Sequence, residues 1–111
     1  MEFEEQERDG YNVIGVQGRL NLNSVDDFRA TVSRAINEGR LSLLIDLRAA
    51  ESVDSTGLGA LVWAATRARR EGGDLQLANA NEGVRLLLER ANVTKMLPLR
   101  PDPENPGGGA S

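Results

Sequence analysis

The segment Leu41-Ser42-Leu43-Leu44-Ile45-Asp46-Leu47 is apolar at nearly every position, and it constrains the fold more than any other stretch. A strand with one wet face alternates apolar and polar residues; an almost unbroken apolar run needs apolar surroundings on both faces. This predicts the central strand of a parallel sheet, covered on both faces. The flanking patterns agree. Tyr11 to Gln17 is rich in β-formers, and Phe3 to Glu7 can pair with it through a turn at Asp9-Gly10. Ser24 followed by acid at Asp27 reads as a capped helix start, with Val25, Phe28, Val32, Ala35 and Ile36 inward and Gly39 as the stop. Leu58, Leu61, Val62, Ala65 and Ala68 form one face of a second helix ended by Gly72-Gly73. Leu75 to Ala78 is the next strand. A third helix runs from near Asn81 to Ala91 with Val84, Leu87, Leu88 and Ala91 inward, and Lys95 to Leu99 adds a short last strand.

Strands and helices therefore alternate, which predicts an α/β domain. Its sheet is mixed but mainly parallel, of four to five strands, with an N-terminal antiparallel hairpin and flanking helices. The 111 residues suffice for one domain. All four prolines fall in the last stretch, so the domain is expected over residues 1–99 and a disordered Pro/Gly-rich tail over 100–111.

Composition then removes chemistry. There is no histidine and no cysteine, which excludes disulfides, thiolate catalysis, Cys/His zinc sites and a Ser-His-Asp triad. Lys95 is the sole lysine, so the phosphate loop that ends in Gly-Lys-Ser/Thr is absent. A formal net charge of -4 disfavours a direct nucleic-acid surface. No apolar run is long enough to span a bilayer, and the start Met1-Glu2-Phe3-Glu4-Glu5 is acidic where a secretory signal would be basic. A soluble, cytoplasmic protein without a cofactor or metal is expected.

Asp54-Ser55-Thr56-Gly57-Leu58-Gly59 lies where a loop feeds the second helix. Ser55, at or beside the N-cap, has two readings. Its hydroxyl can cap the helix, a contribution of about 1 kcal/mol. Alternatively it is an exposed acceptor for a phosphate, which free N–H groups and the positive end of the helix dipole would tolerate. Gly57 and Gly59 each cost up to about 1 kcal/mol relative to alanine in a first helical turn. They provide clearance around the hydroxyl or tight packing of the helix start. Asp54 is the only base nearby, and a carboxylate is poorly matched to a serine hydroxyl, so catalysis by the chain itself is not expected. Asp54 either orients the hydroxyl and meets a partner or closes the loop.

At these residues the chain resembles bacterial anti-sigma factor antagonists of the STAS-domain family, whose motif Asp-Ser-(Ser/Thr)-Gly-Leu-Gly matches from Asp54 to Gly59 without a gap. Gly18-Arg19-Leu20, Leu44-Ile45-Asp46-Leu47 and Gly72-Gly73 extend the similarity from about Glu2 to Leu99. The resemblance implies a non-enzymatic partner switch. The unmodified protein would bind an anti-sigma factor serine kinase and free a sigma factor, in transcription regulation of stress response or sporulation. The kinase would then phosphorylate Ser55 and the complex would dissociate. A PP2C-type phosphatase would reset it. Asp54, Thr56, Gly57, Gly59 and Trp63, with Asn21 and Asn23 of the loop after Gly18-Arg19-Leu20, are the implied partner-binding residues.

Two positions depart from the family pattern: Asn21 stands where members commonly carry Asp, and Trp63 where many carry a small residue. Helical projection places Trp63 opposite the apolar face with Gly59, Thr66 and Arg67, as an interface anchor or a ring tucked against a loop. Arg67, Arg69 and Arg70 read as a solvated cluster complementing the helix dipole. Leu86-Leu87-Leu88 reads as core plus one partner-facing leucine. The alternative function is a constitutive STAS adaptor subunit of a lipid-transport ATPase or signalling scaffold. A hydrolase or nucleotide-binding enzyme is the third class, disfavoured by the absent residues.

Overall fold

A computed structural model describes residues 3–100; of the expected tail over 100–111, residues 101–111 lie outside the described residues, and Arg100 belongs to the last strand. The order of elements is β1 (Phe3–Arg8), β2 (Tyr11–Val16), β3 (Gly18–Leu20), α1 (Val25–Asn37), β4 (Ser42–Asp46), β5 (Ala50–Val53), α2 (Ser55–Arg70), β6 (Asp74–Ala78), α3 (Glu82–Arg90) and β7 (Leu99–Arg100). The main sheet has five strands in the order β1-β2-β4-β6-β7. Only the β1–β2 pair is antiparallel. Its turn, Asp9-Gly10, has φ values of 54° and 85°, the doubly left-handed geometry of a tight hairpin. The apolar run is indeed the central strand: β4 lies between β2 and β6.

Both of its faces are buried, as expected, but by different means. Ile14 and Val16 of β2, Leu43 and Ile45 of β4, and Leu75 and Leu77 of β6 share one core with buried residues of all three helices. Val13, Leu44 and Ala78, of opposite parity, form a separate small cluster to which no helix contributes and against which Tyr11 packs. The helices thus cover one face. The other is closed at the level of side chains, with the Arg100 guanidinium carbon 4.9 Å from the Tyr11 ring centroid. The run is apolar because the second face also has a core, not because helices lie on it.

A second, two-stranded sheet pairs β3 with β5 in parallel, Leu20 opposite Val53. The sequence reading had loops there. This ribbon brings the segment entering α1 beside the segment entering α2. At α1, Ser24 occupies the N-cap position without a side-chain capping bond. Its buried hydroxyl instead donates to the Arg19 carbonyl at 2.8 Å and accepts from the Asn21 N–H at 3.1 Å. The expected capping box is therefore a loop clasp. The last strand is shorter and later than expected, because Lys95 and Met96 lie in turn structure and only Leu99–Arg100 pairs with Leu77–Ala78. Ala91, expected inward, is the exposed C-cap of α3.

The inner face of α2 is also displaced from the expected one. Gly57, Ala60, Leu61, Ala64, Ala65 and Ala68 are buried, while Leu58 and Val62 are half-buried on a flank. Small side chains face the core because the helix lies close to it. The bulky residues at its margin had drawn the sequence reading round by a fraction of a turn.

Candidate functional site

The site grows from the end of β5. Asp54 is the N-cap of α2 in extended conformation, and its carboxylate accepts the Gly57 N–H at 2.9 Å. Capping thus falls to Asp54, leaving Ser55 as the first residue of the helix, exposed. The Asp54 N–H donates to the Leu20 carbonyl at 3.3 Å, anchoring the turn to the β3–β5 ribbon. From the other side, the Asn81 amide donates to the carbonyls of Ala50 and Glu51 at 3.3 and 3.2 Å, while its oxygen caps α3 by accepting from Val84 N–H at 2.9 Å. One asparagine therefore starts α3 and braces the strand that presents Ser55.

The two glycines of the motif do different things. A Cβ on Gly57 would overlap the Leu20 carbonyl oxygen; the glycine lets the helix start pack against backbone. A Cβ on Gly59 would meet nothing within 4 Å, and the residue is exposed. Tight packing explains Gly57, whereas Gly59 leaves open space one turn beyond Ser55 on the outer side of α2. Thr56, between Ser55 and Gly57, is half-buried.

The loop after β3 lies against this turn through Leu20. Asn21 is half-buried and closes the loop on itself: its side-chain oxygen accepts the Asn23 N–H at 2.9 Å, and its carbonyl accepts from Ser24 and Val25, each at 3.0 Å. Asn23 is exposed. Between them Leu22 is 74% exposed, an apolar side chain in water two residues after the Leu20 that the α2 start packs on. The sequence reading missed it. The signal was there in a lone leucine between two asparagines, where it belongs to neither the strand nor the helix pattern.

Trp63 is not brought to Ser55. Eight residues along a helix separate them by about 12 Å of axial rise. Nor does its ring point away from the core: it is half-buried against the core cluster, with the Arg29 guanidinium carbon of α1 5.8 Å from its centroid. Trp63 thus lies on the flank of α2 that faces α1. The arginine cluster also divides, since Arg69 pairs with Asp74 at 3.1 Å and donates to the Leu75 carbonyl at 3.3 Å, leaving Arg67 and Arg70 apart from it.

Electrostatically this helix start is distinctive. The first turn of α1 carries Asp26 and Asp27 and that of α3 carries Glu82, whereas the first turn of α2 holds no acidic residue. Apart from the engaged Asp54 carboxylate, the positive end of the dipole faces an exposed hydroxyl. The arrangement can accept an anionic group at Ser55. It offers no nitrogen or sulfur base.

The three helices and mixed sheet with its antiparallel first hairpin are the fold of a STAS domain. The STAS domain family matches residues 2–105, and the chain belongs to that family. A STAS-domain containing protein of Pseudomonas aeruginosa is 33% identical over 87 residues, 78% of this chain and 84% of that protein. An anti-sigma F factor antagonist of Paenibacillus polymyxa is 22% identical over 100 residues, 89% of this chain and 86% of that protein. In structure the chain is similar to a candidate anti-sigma factor antagonist of Thermotoga maritima, with a TM-score of 0.82 at 25% identity over 90% of this chain and 86% of that one. Among the described residues, no helix is long and apolar enough to cross a membrane.

Proposed function

We propose that this chain is an anti-sigma factor antagonist that works as a partner switch, with Ser55 as the phosphoacceptor. The observation that carries the reading is the exposed Ser55 hydroxyl in the first turn of α2, a turn free of acidic side chains and cleared by Gly59. The similarity to the Paenibacillus antagonist supports the class of partner. In the unmodified state an anti-sigma factor serine kinase docks on the start of α2 and the adjoining Asn21-Leu22-Asn23 loop, with Leu22 supplying apolar contact. Docking on the kinase frees its sigma factor.

The switch follows from charge and from which molecule supplies the chemistry. Phosphate adds roughly -1.5 to -2 charge. The domain tolerates this at a helix N-terminus, whereas a closely packed partner surface does not. A loss of about 3 to 4 kcal/mol at the interface weakens binding several hundredfold, since 1.4 kcal/mol is a factor of ten. The kinase contributes base, metal and nucleotide; the chain contributes a positioned hydroxyl and is not itself an enzyme. Asn21, neutral where relatives commonly carry Asp, adds no negative charge to the loop facing the phosphate. A PP2C-type phosphatase in the cytoplasm restores the hydroxyl.

The test is the affinity of the unphosphorylated protein and its variants for the anti-sigma factor kinase. Ser55→Ala retains binding within a few fold and cannot be phosphorylated, and Ser55→Asp loses several hundredfold. Equal binding by Ser55→Asp and the unmodified protein would sink the switch. Capture of a transporter ATPase without any kinase would favour a constitutive adaptor instead.

A further inference from the structure

Arg19, Arg34, Arg40 and Arg69 have carboxylate partners within 4.0 Å. Arg29, Arg67 and Arg70, like Arg85 and Arg90 of α3, have none among the described residues, but the first three gather around one aromatic ring. They belong to one side of the molecule. Arg29 of α1 lies over the Trp63 ring of α2. Arg67 follows Trp63 by four residues, so the two are neighbours on the helix surface, and Arg70 follows by one further turn. The Nε of Arg67 is buried without a hydrogen-bond partner. A guanidinium N–H withdrawn from water costs free energy until an acceptor reaches it.

A half-buried tryptophan, three cations without counter-ions and an orphaned donor together describe an incomplete interface. Tryptophan and arginine are the side chains that most often dominate binding energy. We infer that the α1–α2 surface around Trp63 docks an acidic segment of a partner protein. Carboxylates of that segment pair with the terminal guanidinium nitrogens of Arg29, Arg67 and Arg70, and an apolar side chain packs on the Trp63 ring.

A nucleic acid fits less well. Asp26 and Asp27 on α1 and Glu71 at the C-cap of α2 flank the same helices and repel a continuous polyanion, while a short acidic segment between them is accommodated. The inference rests on the proposed switch in taking the docked partner to be the serine kinase, and it adds a second contact about 12 Å along α2 from Ser55. Phosphorylation at Ser55 then breaks one end of a two-part interface.

Trp63 is the only tryptophan, so fluorotryptophan gives a single fluorine NMR signal from the proposed surface. The experiment titrates this labelled protein with the kinase and measures affinity at low and high salt for wild type, Ser55→Asp, Arg29→Gln, Arg67→Gln and Trp63→Phe. The expected result is a shifted or broadened fluorine signal and about tenfold weaker binding for each arginine variant, with a flatter salt dependence. Circular dichroism of the arginine variants should match wild type, because Arg29 is exposed and the buried Arg67 Nε makes no hydrogen bond that glutamine would remove.

Wild-type binding that moves the fluorine signal by nothing, or arginine variants that bind within twofold of wild type, overturns this surface and leaves the switch standing. Arginine variants that weaken while Ser55→Asp does not overturn the switch and leave the surface. A wild-type chain that binds no kinase overturns both. Retention of a labelled oligonucleotide, lost in the same arginine variants, overturns the assignment to a protein partner.

Discussion

The starts of α2 and α3 are built alike and equipped differently. Each has an acceptor side chain at the N-cap that takes the N–H three residues on, Asp54 to Gly57 and Asn81 to Val84, both at 2.9 Å. After that they diverge. α3 answers its dipole with Glu82 at its first position and turns its cap's amide to Ala50 and Glu51; α2 places an exposed hydroxyl, Ser55, at that position. A helix start that is only structural satisfies its own donors and field. One that leaves the field open beside an accessible hydroxyl, braced by its neighbour, is equipped to receive charge.

The comparison can be broken by moving charge. Ser55→Asp puts a permanent carboxylate in the first turn of α2, as α3 already has, and should weaken kinase binding several hundredfold by surface plasmon resonance. Neutralising the structural helix with Glu82→Gln should leave binding within twofold. The glycines come next. Gly57→Ala forces a Cβ into the Leu20 carbonyl and should destabilise the fold by about 1–3 kcal/mol or more in urea unfolding. Gly59→Ala, with open space around it, should stabilise the fold by up to about 1 kcal/mol through helix propensity. Equal effects at the two glycines would show that the first turn packs differently from the description above. Smallest and most alike are the caps: Asp54→Ala and Asn81→Ala should each cost about 1 kcal/mol. A larger loss at Asn81 would measure the bracing of β5.

What could be read from the chain beforehand followed the strength of the local signal. The run ending at Leu47 identified the central strand because continuous apolar sequence has few other uses at that length. The motif from Asp54 to Gly59 stood out as the candidate site because two glycines near a helix start contradict propensity. The β3–β5 ribbon left no such mark: Gly18–Leu20 is three residues long, and Ala50–Val53 is exposed at its two central positions, too short and too polar for a period to show. Yet this ribbon sets Leu20, just before the Asn21 loop, against the turn that starts α2. Ser24 looked like a cap because residue type alone cannot tell a hydroxyl serving the helix from one clasping the preceding loop. Trp63 was misplaced because alanines and a glycine, weak in any hydrophobic count, form the inner face of α2. Leu22 belonged to no pattern, which is the property that makes it a candidate contact.

The central claim is that Ser55 is a hydroxyl kept uncharged for a partner and charged to release it. The most direct measurement incubates the protein with the anti-sigma factor kinase and ATP, maps the modified residue by peptide mass spectrometry and follows complex dissociation in the same sample. The expected result is one phosphate, on Ser55 and not on Thr56, with the complex lost in proportion to its occupancy and neither event in Ser55→Ala. A phosphate placed elsewhere, or a Ser55-phosphorylated protein that stays bound, would contradict it.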